Sequence, residues 1–150
     1  MKPHASWLAC ALVLTAVLAC KYSTNSNSNS NSNSNANSTS AISKITMAKD
    51  NGKGDPGDET NTFRPSDRVV HCLATMRTPK EGTRIKFSWW IVDAGGTKNE
   101  LIKEIDYTTG PDNNVVHGHL SLTRDWPKGK YKCDVYVDGV LEKTVEYYVS

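Results

Sequence analysis

His117 and His119 stand two apart in "VVHGHLS" (Val115 to Ser121), where apolar residues alternate with polar ones. Residues two apart on a strand share a face, so both imidazoles point away from the side that carries Val116 and Leu120. His71 precedes an inward Cys72 in another predicted strand and points outward as well. Three imidazoles with an open fourth position form a zinc-type ligand set, provided the two strands are neighbours. The competing reading is three solvated histidines, since no carboxylate partner is evident near them in the sequence.

A second metal chemistry is suggested by "KDNGKGDPGDET" (Lys49 to Thr60), which concentrates Asp50, Asp55, Asp58 and Glu59 in a Gly-rich stretch. It does not follow the EF-hand pattern, because Gly52 and Gly54 occupy the third and fifth positions, where calcium requires oxygen ligands. A calcium loop of another kind competes with a plain acidic turn. Catalytic groups have no comparable setting. There is no Gly-x-Ser-x-Gly, and the carboxylates fall singly in turns and on outer faces, so paired-carboxylate chemistry has no candidate. The expected function is therefore non-catalytic binding.

These residues need a scaffold, and the pattern from Ala41 onward predicts an all-β domain over 41–150. No stretch holds a helical period over three turns, whereas short alternating runs are split by Gly, Pro, Asn and Asp. Seven strands are predicted, at 42–48, 68–76, 84–93, 100–108, 115–123, 130–138 and 140–149. The third puts Ile85, Phe87, Trp89 and Ile91 on one face. The sixth does the same with Tyr131, Cys133, Val135 and Val137, and Asp138-Gly139 joins it to the seventh as a two-residue hairpin turn. Seven short strands at this spacing suggest a two-sheet sandwich.

The whole chain has 18 basic and 16 acidic residues. Two of the basic ones, Lys2 and Lys21, precede the domain, which leaves it 16 of each sign. Interspersed neutral charge argues against nucleic acid, whose binding needs a concentrated basic surface.

Upstream, residues 1–19 read as a signal peptide, with Lys2 followed by an apolar stretch too short to span a bilayer. The run Val17-Leu18-Ala19-Cys20 resembles the lipobox of bacterial lipoproteins. That resemblance implies cleavage before Cys20, its acylation, and a stable membrane anchor made of several buried chains. Lys21 follows the cysteine where Asp would suggest inner-membrane retention, which favours the outer membrane as destination in the cell envelope. Residues 20–40 then form the anchor cysteine and an Asn/Ser-rich linker, strictly alternating from Asn25 to Ser34. Short polar side chains cannot repay the entropy of ordering backbone, so this segment reads as a leash with a mean span of about 25 Å and a stretched reach of roughly 65 Å.

The domain itself resembles the immunoglobulin fold. Cys72 on the second strand, Trp89 on the third and "GKYKC" (Gly129 to Cys133) entering the sixth match its Cys, Trp and Tyr-x-Cys elements, with Tyr131 as the tyrosine corner. Trp126-Pro127 differs from the antibody-type run, and the segment looks more like immunoglobulin-like modules of bacterial envelope proteins. The resemblance implies a Cys72–Cys133 disulfide in an exported domain, against the alternatives of two buried unpaired thiols or a redox-active pair. It implies that the strands bearing His71 and His117/His119 are neighbours, which would bring the three histidines together. It also implies that strands three, six and seven share a sheet whose outer face displays Trp90, Tyr136 and Tyr148, flanked by Lys86 and Lys132. Such a face would suit a protein or glycan partner, the alternative being a structural accessory of a larger envelope complex. Covered rings, or a one-residue slip that exchanges Trp90 for Trp89, are the alternatives.

Overall fold

The computed structural model describes residues 40–150, all in one compact unit, so the predicted signal peptide, Cys20 and the linker up to residue 39 lie outside the described residues. Nine strands form in order: β1 (Ile42–Asp50), β2 (Pro56–Glu59), β3 (Thr62–Phe63), β4 (Val69–Met76), β5 (Arg84–Ala94), β6 (Thr97–Thr108), β7 (Val115–Ser121), β8 (Gly129–Val137) and β9 (Val140–Val149). They build a four-stranded sheet, β2-β1-β4-β7, and a five-stranded sheet, β3-β9-β8-β5-β6. The domain is all-β, and among the described residues no helix is long and apolar enough to cross a membrane.

Seven of these strands are the predicted ones, β9 with the same bounds and the other six with ends shifted by one to three residues. Of the two additional strands, β2 lies in the stretch read as an acidic turn and β3 just after it. β2 is a polar edge strand of four residues, paired antiparallel to β1 across an irregularity between Ala48 and Asp50. β3 is two residues long and runs parallel to the end of β9, Thr62 beside Tyr148 and Phe63 beside Val149. Neither is long enough to show an alternation. Phe63 is nonetheless fully buried, so β3 closes the core at that edge.

The core follows from period two. On β5, Ile85, Phe87 and Trp89 are buried, and on β8 so are Tyr131, Cys133, Val135 and Val137. Trp89 is fully buried and Trp90 only half-buried, which settles the register as expected. One end of the core is aromatic. Trp126, in the segment between β7 and β8, packs edge-on to Tyr131 at 5.2 Å, and Tyr131 stacks on Tyr147 at 5.3 Å. The Tyr131 hydroxyl donates to the Pro127 carbonyl at 2.6 Å, which ties that segment to the start of β8.

Cys72 and Cys133 are fully buried on strands of opposite sheets, as free thiols. The implied disulfide is thus not formed here. Burial first, then the Cys72 thiol, hold Cys133 well above the ordinary thiol range. A thiol held protonated is a poor nucleophile, which disfavours a redox-active pair.

Candidate metal centre

Backbone register sets the site. Across three strands of the smaller sheet, Ala48 on β1 pairs with His71 on β4, and His71 pairs with His119 on β7. The next row, Met47, Cys72 and Gly118, faces the opposite way, into the core. Successive residues alternate faces, so His71 and His119 share the outer face, and His117 joins them two residues along β7. One potential ligand atom from each of His71, His117 and His119 lies within 4.8 Å of the others. Ring centroids are 4.8 Å apart for His71 and His117, and 5.8 Å for each pair involving His119.

The three differ in setting. His71 is fully buried although it lies on the outer face, His117 is half-buried and His119 is exposed. The cover over His71 comes from a residue read earlier as a calcium candidate. Asp50 Oδ2 lies 3.0 Å from His71 Nε2, and His71 Nδ1 lies 2.6 Å from His117 Nε2. A carboxylate only accepts, so Nε2 of His71 carries a proton and donates to Asp50. In the neutral ring the lone pair is then on Nδ1, facing His117.

Asp50 is aimed by its own loop. Asp50 Oδ1 accepts from the Gly52 amide at 2.6 Å, and Asn51 Oδ1 accepts from the Lys53 amide at 2.8 Å. The Asn51 amide donates to the Asp55 carbonyl at 3.0 Å and closes the turn. Gly52 has φ 86°, a left-handed conformation that glycine adopts without a Cβ penalty. The His71 ring N–H, then the amides of Gly52 and Gly54, hold the Asp50 carboxyl below its ordinary value against partial burial. His117 is pushed down, first by burial and then by the charges His71 and His119 would carry, with Asp55 opposing. A histidine kept neutral has a lone pair to offer a metal.

The other acidic residues of this stretch are not brought together. Glu59 pairs with Lys44 at 3.1 Å on the far side of β1, and Asp58 is exposed on β2. A calcium ion needs six to eight oxygens, roughly, around one centre. Asp50 serves His71 instead.

The structure does gather the predicted aromatic face on the outside of the larger sheet. Lys86 lies over the Tyr136 ring at 4.7 Å and Lys132 over Trp90 at 5.4 Å, and Lys130, missed in the sequence, lies over Tyr148 at 5.9 Å. Each lysine and its ring are direct cross-strand partners. The alternation shows these faces, whereas the covering of each ring depends on side-chain placement. On the same face Ser88 and Asp134 are buried, held by Glu104 and by Thr144 and Lys132.

No protein-family model matches the chain, and no curated protein matches it in sequence.

Proposed function

We propose that the chain is a membrane-tethered lipoprotein of the cell envelope whose immunoglobulin-like domain binds a divalent transition metal through His71, His117 and His119. One observation carries the metal reading: three imidazoles converge on a sheet face with a carboxylate fixing the buried one from behind. A ligating histidine ordinarily donates its other N–H to a carboxylate or carbonyl, and Asp50 stands in that relation to His71. Imidazole donors suit Zn²⁺, Cu²⁺ or Ni²⁺, with Cu²⁺ bound most tightly of these at a given site. The sandwich has its own core, and three protein ligands leave an open coordination position, so the site suits a bound, exchangeable ion rather than a structural one. Titrating the purified full-length chain with zinc chloride tests this. One ion per chain, lost in His119→Ala, is expected, and no heat in the wild type ends the reading.

The immunoglobulin-like identity is supported by Trp89 packed in the core with the facing Cys72 and Cys133, by the short parallel β3 beside β9, and by the Tyr131 hydroxyl bond to Pro127. In an oxidising compartment the adjacent thiols are expected to join, closing a loop of about 60 residues for roughly 4 kcal/mol in the chain-entropy model. Alkylation of protein unfolded without reductant should then leave Cys72 and Cys133 unlabelled, and full labelling of both would show that they never pair. The leash reading fits the way the domain begins. Ser40 Oγ bonds Glu142 at 2.6 Å and Arg77 holds the Ser40 carbonyl at 3.1 Å, while Asp50 lies at the other end of β1. A strand of that length spans roughly 30 Å, which keeps the metal site away from the point of attachment.

A second reading, a protein or glycan partner on the larger sheet, is favoured by the three cross-strand rings and by the exposure of Tyr148 and Leu101. Exposed cation–π pairs contribute about 0.5–1 kcal/mol each. Trp90→Ser with Tyr136→Ser should therefore lower stability by only about 1–2 kcal/mol while removing partner capture, as urea unfolding would show. A loss above about 4 kcal/mol would make these rings structural.

A further inference from the structure

Resting on that metal reading, a second role falls to the β1–β2 loop. A positioned carboxylate does more than cover a buried imidazole. With Nε2 of His71 committed to Asp50 at 3.0 Å, Nδ1 alone remains to face a metal, and the ring cannot turn over without losing that bond. The same carboxylate is bonded to Gly52 and belongs to a turn closed from Asn51 to Asp55, so the ring's orientation and the loop's conformation are joined through one residue. His71 Nδ1 faces His117 Nε2 at 2.6 Å, closer than the roughly 3.3 Å between two nitrogens around a tetrahedral zinc with bonds of about 2.0–2.1 Å. A zinc held by all three therefore needs these two nitrogens further apart, and His119, exposed and without a hydrogen bond to either neighbour among the described residues, is free to adjust to it. His71 is the fixed member, and what fixes it is Asp50.

We propose that Asp50 is the positioning carboxylate of the metal centre, selecting Nδ1 of His71 as ligand, so that metal occupancy and the ordering of the Asp50–Asp55 loop are coupled. A metal on Nδ1 makes the opposite N–H a stronger donor and tightens its bond to Asp50. The loop is thereby held in its turn. Lys53 is exposed between Gly52 and Gly54, and cleavage after it requires the turn to open into extended chain.

The test uses the full-length chain and zinc chloride. Asp50→Ala should weaken zinc binding by about 10–100-fold and Asp50→Asn, which keeps an acceptor oxygen, by less. Nitrogen-15 spectra should show His71 with its proton on Nε2 in the wild type and a mixture of tautomers in Asp50→Ala. Zinc should slow tryptic cleavage after Lys53 in the wild type and leave it unchanged in Asp50→Ala. Asp50→Asn carries the affinity measurement if the alanine variant does not fold. If the wild type binds zinc and both variants bind it equally tightly, or zinc protects Lys53 equally in all three, the role of Asp50 is overturned while the metal site stands. If the wild type takes no zinc, the metal reading itself falls.

Discussion

His71→Ala is expected to abolish zinc binding and also to weaken the metal-free fold, whereas His119→Ala should abolish binding and leave the fold intact. The contrast follows from burial. His71 is fully buried, with one ring nitrogen on Asp50 and the other on His117, so removing it opens a cavity and strands two polar partners. Loss of a buried hydrogen-bonding side chain of this size costs about 2–4 kcal/mol. His119 is exposed on an edge strand, and substitutions of that kind usually fall within about 0.5 kcal/mol. For the metal the two variants are equivalent, because each reduces a set of three ligands to two. The loss should exceed the 10–100-fold that follows from removing an outer hydrogen-bond partner. Thermal melting with and without zinc reads both effects together. At a free zinc concentration 100-fold above the dissociation constant, the wild type should gain about 2.7 kcal/mol, roughly 10 °C for a domain of this size. Neither variant should gain anything. A His119→Ala protein that zinc stabilises as much as the wild type would remove that residue from the site, and an unaltered response in both would remove the site.

What the sequence could reveal about this arrangement divides along a physical line. Period-two patterning is a local property, so β5, β8 and β9 and their inward residues, Trp89 and Tyr131 among them, could be read directly. The same rule placed His117 and His119 on one face. It could not show β2 and β3, whose four and two residues are too few for a period. Nor could it show that Asp50 covers His71. That contact joins residues 21 apart through a glycine turn, and composition alone made Asp50 look like one of four equivalent acids. Trp126 was missed as core for a related reason. It lies outside any strand, and its burial depends on how the Pro127 carbonyl meets Tyr131. Side chains whose environment comes from their own strand are legible, and those whose environment is supplied by a loop are not.

Gly118 connects the two kinds of information, and substituting it should be among the most damaging single changes. It lies between the two histidines of β7 and faces the opposite way, against the buried ring of Phe87. A Cβ placed there would stand 2.7 Å from two Phe87 ring carbons and 3.1 Å from a third, inside van der Waals contact. The far side of the ring offers no escape, since Phe87 is itself fully buried on β5 between β6 and β8. Overpacking by one methyl typically costs about 1–3 kcal/mol, so Gly118→Ala should lose that much and Gly118→Val more. The strand must move outward to relieve the clash, and it carries His117 and His119 with it. Zinc affinity should therefore fall in Gly118→Ala although no ligand has been touched. Adding Phe87→Leu makes room for the methyl, and the pair should be more stable than the sum of the single losses by at least about 0.5 kcal/mol. Urea unfolding of the four proteins measures this coupling directly. Gly118→Ala as stable as the wild type, with unchanged zinc affinity, would mean that β7 is not pressed against Phe87 and that the spacing of the histidines does not depend on that contact.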